Sequence, residues 1–448
     1  MQSLFLTAVF LSLMVMGFSA AFAAALGFVW VDIVKPQQLA SSILTNQPLS
    51  IIAAATMLIL FMIKDRKSPP KFGSIQALIL MFAIWVTLTS FMSTVPEVAW
   101  IKWDWAFKVL VFALLFPYIF RSRVQLDAFI LVFIFSAATI FFSAGIKTLL
   151  GSGGYGVLAV MGSGNSGLSE SSTLAAVCAA LIPLIVYSMQ HTLLLPKAFW
   201  TKALFTLVII TAVATVIGTS ARTGIIALGI AGLFLLAKSN NKKWWIAGAI
   251  VGALILANID LSATPWGARM STIETYNQDS SALGRLKVWG WTLEFVGDHP
   301  LGGGFNAFVH NRISEVLGDG TVIYYPDGVL QGKAYHSIYF EVLGEQGFPG
   351  LIIYLSMFIL ALLKLRNMKK QWRGYQDLNW LVALAEALTA SIIIFMVAGA
   401  FVGIAYQPFI FYMVSLSVAL DQYSLRVDQQ RRRQQHLLQG KLTGRAIA

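Results

Sequence analysis

Charge is what this sequence has least of. Of its 448 residues only 12% are Asp, Glu, Lys or Arg, where a soluble chain carries ~25%. Long apolar runs stand in their place, and they exclude a soluble enzyme, a disordered protein and a coiled coil. Cysteine is nearly absent too. The lone Cys178, in an apolar stretch, excludes an intramolecular disulfide framework and a thiolate metal cluster. Metal motifs are missing: there is no Asp-x-Asp, no His-Glu-x-x-His and no close carboxylate pair shaped for a divalent cation. No basic residue precedes Asp32, so the first apolar run lacks the charged n-region of a signal peptide, although Ala21-Phe22-Ala23 imitates a cleavage site.

What is present is 57% apolar residue content and a mean hydropathy of +0.73. Runs long enough to cross a bilayer fall near 4–31, 50–63, 72–92, 106–120, 124–146, 172–190, 201–219, 222–237, 244–259, 346–363, 376–401 and 405–421. The expectation is an all-α polytopic membrane protein of about 12 transmembrane helices. The run 4–31 fits either one tilted helix or two short ones.

Charge sets the orientation. Alternate connections hold Lys64 to Lys71, Arg121 and Arg123, Lys197 and Lys202, Lys238 to Lys243, Lys364 to Arg373, and a tail with Arg431-Arg432-Arg433. By the positive-inside rule these connections are cytoplasmic, and with twelve spans both termini are cytoplasmic as well. The net charge of +12 is thus a topology signal. The tail from Arg426 to Arg445 is expected on anionic lipid headgroups, with membrane lipids and not nucleic acid as its partner.

One connection breaks the pattern. Residues 260–345, on the opposite face, hold ten acidic and five basic residues and many aromatics, and loops longer than ~15 residues are usually functional. Two pieces, 283–297 and 334–345, have amphipathic spacing and are expected as short helices at the membrane surface. The chain divides on this reading into an N-terminal bundle (1–259), a large loop (260–345), C-terminal spans (346–421) and a basic tail (422–448).

Arg222, in Gly218-Thr219-Ser220-Ala221-Arg222-Thr223-Gly224, has no other charge nearby. Two readings stand: a snorkelling arginine in a short turn, or a fixed guanidinium for phosphate or pyrophosphate. Arg285 opens the first amphipathic piece after Gly284, with Trp289 and Thr292 on its face. Read alone it is a surface arginine, and Arg269 and Lys287 are weaker versions of the same case. His336 opens the second piece, where a helix N-terminus favours the neutral imidazole. That suits a general base for a hydroxyl, though a packed histidine fits the position too. Glu341 and Glu345, four apart, read as a solvated face. Glu386, inside a span, reads as a carboxylate awaiting a cation.

Together these segments resemble the O-antigen ligase and polymerase superfamily. The resemblance lies in the order Ser220-Ala221-Arg222-Thr223-Gly224, Gly284-Arg285 with a Trp four residues on, and Pro300-Leu301-Gly302-Gly303-Gly304-Phe305. Tyr335-His336-Ser337 through Gly344-Glu345-Gln346-Gly347-Phe348-Pro349-Gly350 completes it. Ser337 stands where the family usually has Asn, which resembles the O-glycosylation ligases associated with exosortase systems.

The resemblance implies a GT-C-like glycosyltransferase of the bacterial inner membrane, working at its periplasmic face without metal or cofactor. The donor would be a glycan on undecaprenyl pyrophosphate and the acceptor the lipid A core. Arg222 and Arg285 would hold the pyrophosphate, with Arg269, Tyr335 and Trp289 also on substrate, and His336 would activate the acceptor hydroxyl with inversion. An O-antigen polymerase, a protein O-oligosaccharyltransferase and an exopolysaccharide ligase share this chemistry. A polytopic lipid or solute transporter is the alternative of a different class.

Overall fold

The computed structural model describes residues 2–40, 44–45, 47–64, 72–154, 158, 168, 170–238, 243, 280–311, 313, 315–316, 322–323 and 332–445. Among them the chain is a helical bundle, and six helices are long and apolar enough to cross a membrane. They are α5 (Ser74–Phe91), α7 (Arg123–Leu149), α8 (Ser171–His191), α9 (Phe199–Gly218), α12 (Ile338–Trp372) and α13 (Asn379–Gly399), the last with a preceding 3-10 turn at Gln376–Leu378. Shorter apolar helices are α1 (Gln2–Ser19), α2 (Ala21–Val34) and α4 (Leu49–Lys64). The remainder are the four-residue α3 (Pro36–Leu39), α6 (Pro96–Ile119), α10 (Arg222–Lys238), α11 (Ser280–Asp298) and α14 (Pro408–Arg445). The chain is a multi-pass membrane protein. The span expected at 244–259 lies outside the described residues.

The run 4–31 is two helices, not one. Ala20 is extended (φ −155, ψ 139) between α1 and α2, and the two fold back antiparallel. A Cβ on Gly17 would lie 3.0 Å from that of Ala24, and one on Gly27 would reach the Met14 methyl at 2.6 Å. Small residues facing each other allow this close approach. The hairpin returns Lys35 to the side on which Gln2 begins, so the single-span basis for a cytoplasmic N-terminus is lost.

Helix α6 starts ten residues before the expected span. Pro96 sits at its first turn with Glu97, both favourable at a helix start. The early start carries Lys102 into the helix. Near its other end, Phe116 and the α7 residues Phe129 and Phe133 surround Tyr412 of α14, with ring centroids 5.6–5.7 Å from it. Tyr412 donates to the Asp32 carboxylate of α2. Helix α8 is buried from Ser171 to Ile185, as a helix apolar on all sides must be.

The basic connections gather at one end, the basic face. There Trp372 donates to Ser424 (2.6 Å), Lys364 pairs with Asp421 (2.5 Å), and Arg431 lies 4.6 Å from the Tyr375 ring centre. These contacts tie the first part of the basic tail, as far as Arg431, to the bundle. Helix α14 runs unbroken through 38 residues, about 57 Å at 1.5 Å per residue, and its continuation packs on α12 as far as Arg431. The other end is the loop face.

Candidate active site at the loop face

Glycine decides how the loop face closes. Gly302 (φ 88) and Gly304 (φ 79) take left-handed conformations that L side chains rarely adopt, and Gly347 (φ 67) breaks α12 nine residues after it begins. The two breaks dock on each other. Gly303 and Gly304 donate to the carbonyls of Gly344 (3.0 Å) and Glu345 (2.9 Å), and Phe348 donates back to Pro300 (3.1 Å). A Cβ on Gly302 would lie 2.5 Å from the Glu345 oxygen and the Gly347 nitrogen.

That docking closes around a buried charge cluster. Lys102 Nζ lies 2.7 Å from Glu341 and 2.8 Å from Glu345, with side-chain exposures of 12%, 10% and 0%. Glu345 also accepts from the Asn306 backbone (2.9 Å), and Glu341 from that of Ala405 (3.0 Å). The ammonium sits 4.8 Å from the Tyr406 ring centre, a cation–π contact strengthened by burial. The expected solvated face at Glu341 and Glu345 is therefore wrong. The carboxylates face inward because α6 brings a cation from some 240 residues away, which helical spacing alone cannot reveal. The structure adds Lys102 to the candidate residues.

His336 sits beside this cluster but does not open the helix. Ser337 is the extended N-cap and α12 begins at Ile338, so residues 334–337 lie outside the helix rather than forming part of a surface helix. Beyond them Val342 to Gly347 are buried, not interfacial. His336 itself is half-buried at φ 47. Non-glycine residues in this region store backbone strain of ~1–2 kcal/mol. Among the described residues four that are not glycine carry positive φ, and three of them are Ser220, Asn306 and His336. Ser220 and His336 thus lie within segments that carried the resemblance, and Asn306 directly follows a third.

Two side chains hold the His336 segment. Trp289 donates from Nε1 to the Tyr335 carbonyl (2.9 Å) and stacks on Phe340 at 4.9 Å. Asn311 clasps Lys333, accepting from its N–H and donating to its carbonyl, both at 2.8 Å. Asn311 is itself buried, at 1% exposed. Helix α11 explains the approach. Gly284, Val288, Thr292 and Val296 form its buried stripe, and Arg285 and Trp289 flank it one turn apart. Gly284 leaves room for the buried Lys333, whose ammonium would be 2.9 Å from a Cβ there. Lys333 is a cation beside Arg285 that sequence reasoning passed over.

Tyr335 is 2% exposed and packs edge-on against Phe308, so its contacts position the segment. Burial, followed by the charges of Glu345 and Glu341, pushes its phenol well above the ordinary range. Trp289 is likewise engaged in holding the segment. Arg222 starts α10 directly after the strained Ser220 turn, on the loop face. It enters from another part of the bundle: Gly218, just before it, accepts from Gly154 (2.8 Å), and Gly224 lies tight against Ala175 and Val216. The contacts above join α11, which carries Arg285, to the segment that carries His336; Arg222 lies on α10, which packs on α8 and α13.

Arg269, with Trp266, Tyr276, Tyr324 and Tyr325, lies outside the described residues. Glu386 has its cation: it pairs with Lys238 near the basic face, not with a group at the loop face. Among the described residues no three His, Cys, Asp or Glu side chains group as metal ligands.

Comparison with known families divides the chain in two. Residues 1–193 match a model described as a family of unknown function, DUF5935, and residues 206–355 match one described as O-Antigen ligase. The second match spans Arg222, Arg285 and His336, and the first contains Lys102. No curated protein matches the chain.

Proposed function

The chain carries the O-antigen ligase family region at residues 206–355, and from that premise we propose that it joins a lipid-linked glycan to an acceptor hydroxyl. The donor is a glycan on undecaprenyl pyrophosphate, and the foremost acceptor is a sugar of the lipid A core. The enzyme is an inverting glycosyltransferase of the bacterial inner membrane, with the loop face toward the periplasm. The carrying observation is the Trp289–Tyr335 bond, which fastens the arginine-bearing helix to the histidine-bearing segment.

In the reaction His336 takes the proton of the acceptor hydroxyl as the oxygen attacks the anomeric carbon. The bond from that carbon to the pyrophosphate oxygen breaks, and its electron pair leaves with the lipid pyrophosphate. Attack opposite the leaving group inverts the centre. Arg222 and Arg285 meet the charge that develops on the pyrophosphate, where preorganised cations in a water-poor site are most effective. Lys333, beside Arg285, adds to that field. With the charge met by guanidinium groups, the step needs no divalent ion.

Ser337 favours a second acceptor reading. It replaces the usual Asn, and its Oγ is buried without a hydrogen-bond partner among the described residues, so an acceptor other than lipid A core fits the same chemistry. The test uses purified full-length protein, an undecaprenyl-pyrophosphate glycan and lipid A core, with chelator present. Wild type transfers, and His336→Ala binds donor but loses transfer by about 10²–10⁴-fold. Full activity in the variant removes His336 as base. Donor binding without transfer by wild type moves the acceptor elsewhere, and no donor binding returns the protein to the transporter class.

A further inference from the structure

The region matched only by a family of unknown function meets the candidate site at its most buried charges. Lys102 of α6 touches both Glu341 and Glu345 of α12, and each carboxylate then holds a different backbone. Glu345 holds Asn306, directly after the glycine turn, and Glu341 holds Ala405 in the connection from α13 to α14. That connection also borders the histidine. A Cβ on Gly403 would lie 3.6 Å from Glu341 Oε2 and 3.7 Å from the His336 nitrogen. The same N-terminal region grips the docking from its other side. Thr94 donates through its backbone to Gly303 (3.0 Å), Trp85 to the Gln346 carbonyl (2.8 Å), and Thr89 to the Gln346 side chain (2.5 Å).

We propose that Lys102 is a positioning residue for glycan transfer, the cation by which the N-terminal region fixes Glu341, Glu345 and through them the His336 backbone. This inference rests on His336 acting in transfer. Burying an ion cluster is costly and adds little net stability compared with apolar packing. What the cluster supplies is geometry, because ions satisfied from several backbones have one arrangement. A histidine held at φ 47 needs that support: its conformation persists only where neighbours over-determine it. Loss of the cation frees two carboxylates to seek water, and the 403–405 turn and His336 move with them.

The test compares Lys102→Met, Lys102→Arg and Glu341→Gln with Lys108→Ala as control, all in full-length protein. Lys108 pairs with Asp104 on the exposed side of α6. Misplacing a catalytic group by about 1 Å costs up to ~10²-fold, so Lys102→Met is expected to lower kcat between about 10- and 100-fold, with donor Kd unchanged. Lys102→Arg recovers part of the rate, and Lys108→Ala keeps it all. The deciding readout is the double variant Lys102→Met/His336→Ala. It should transfer no more slowly than His336→Ala alone, because residues acting as a unit are not additive.

Additive losses, or kcat and donor affinity falling together, mean a merely structural cluster and overturn the proposal. Wild-type kcat in Lys102→Met does the same. If Lys102→Met fails to fold, Glu341→Gln carries the test, since its amide oxygen can still accept from Ala405. If wild type transfers but His336→Ala does too, the catalytic reading has failed first. If only the Lys102 and Glu341 variants keep wild-type kcat, the positioning role alone has failed.

Discussion

The two ends of this bundle handle charge in opposite ways. At the loop face a lysine and two glutamates are largely buried, and four non-glycine residues hold left-handed backbone at that end. At the basic face the ions remain partly wet: Lys238 and Glu386 are 47% and 24% exposed, and Asp377, the partner of Arg431, is 68% exposed. Arginines there lie on aromatic rings, Arg123 on Trp380 and Arg431 on Tyr375. Exposed pairs contribute ~0–1 kcal/mol, whereas a buried cluster fixes one geometry at a cost. Strain and buried charge gather where chemistry needs precision, and they gather at the end with Arg222, Arg285 and His336.

The largest expected effect is all-or-none and concerns the face on which the chain begins. The α1–α2 hairpin puts Gln2 on the side of Lys35, the loop face, while the C-terminus leaves from the basic face. Cys178 is buried, so a Gln2→Cys variant gives a single accessible thiol for a membrane-impermeant maleimide. Labelling of intact spheroplasts is expected. Labelling only after permeabilisation means that both termini share the basic face.

Next come two glycines that share a conformation but not an environment. Gly302→Ala must displace backbone atoms 2.5 Å away at φ 88, so the glycine docking should open, with transfer lost at least ~tenfold and lower thermal stability. Gly374, on the basic face, has φ 96 and open space around it. Gly374→Ala carries only the backbone strain of ~1–2 kcal/mol and leaves transfer intact. Equal losses of transfer in both variants would erase the distinction between the two faces.

Arg222→Lys is expected to cost less. It keeps the charge but loses the planar fork, and a charge-assisted hydrogen bond contributes ~1.5–3 kcal/mol. Donor affinity should therefore fall by about tenfold, measured by direct binding of the lipid-linked glycan. Unchanged affinity detaches Arg222 from the pyrophosphate.

How much of this was legible in the sequence follows from the range of each interaction. Amphipathic spacing located α11 to within three residues, and the glycine-rich segments were visible as turns because left-handed backbone selects glycine locally. The Arg285–Trp289 pair is likewise a local, one-turn relation. What escaped was nonlocal. Glu341 and Glu345 looked solvated because their spacing says nothing about a lysine on another helix, and the Asn311–Lys333 clasp went unseen because its partners are 22 residues apart. The start of α12 was misplaced for the same kind of reason. His336 and Ser337 fit a helical pattern, yet the Tyr335 carbonyl before them is held by Trp289, 46 residues away, which pattern cannot register.

The smallest expected effect lies at Glu386, where sequence suggested most. A carboxylate inside an apolar run is costly unless paired, and so invites a functional role. Its partner is Lys238, at the end of α10, and both side chains retain solvent contact. The pair therefore behaves as a snorkelling surface bridge, long side chains reaching for the boundary from neighbouring helices. Glu386→Gln should alter stability by no more than ~1 kcal/mol and leave transfer unchanged, with Lys238→Met matching it. The double variant should equal either single one, since removing one partner already removes the interaction. A sharp loss of transfer in Glu386→Gln would place a second working charge near the basic face. Burial would then no longer separate the end proposed for chemistry from the basic end.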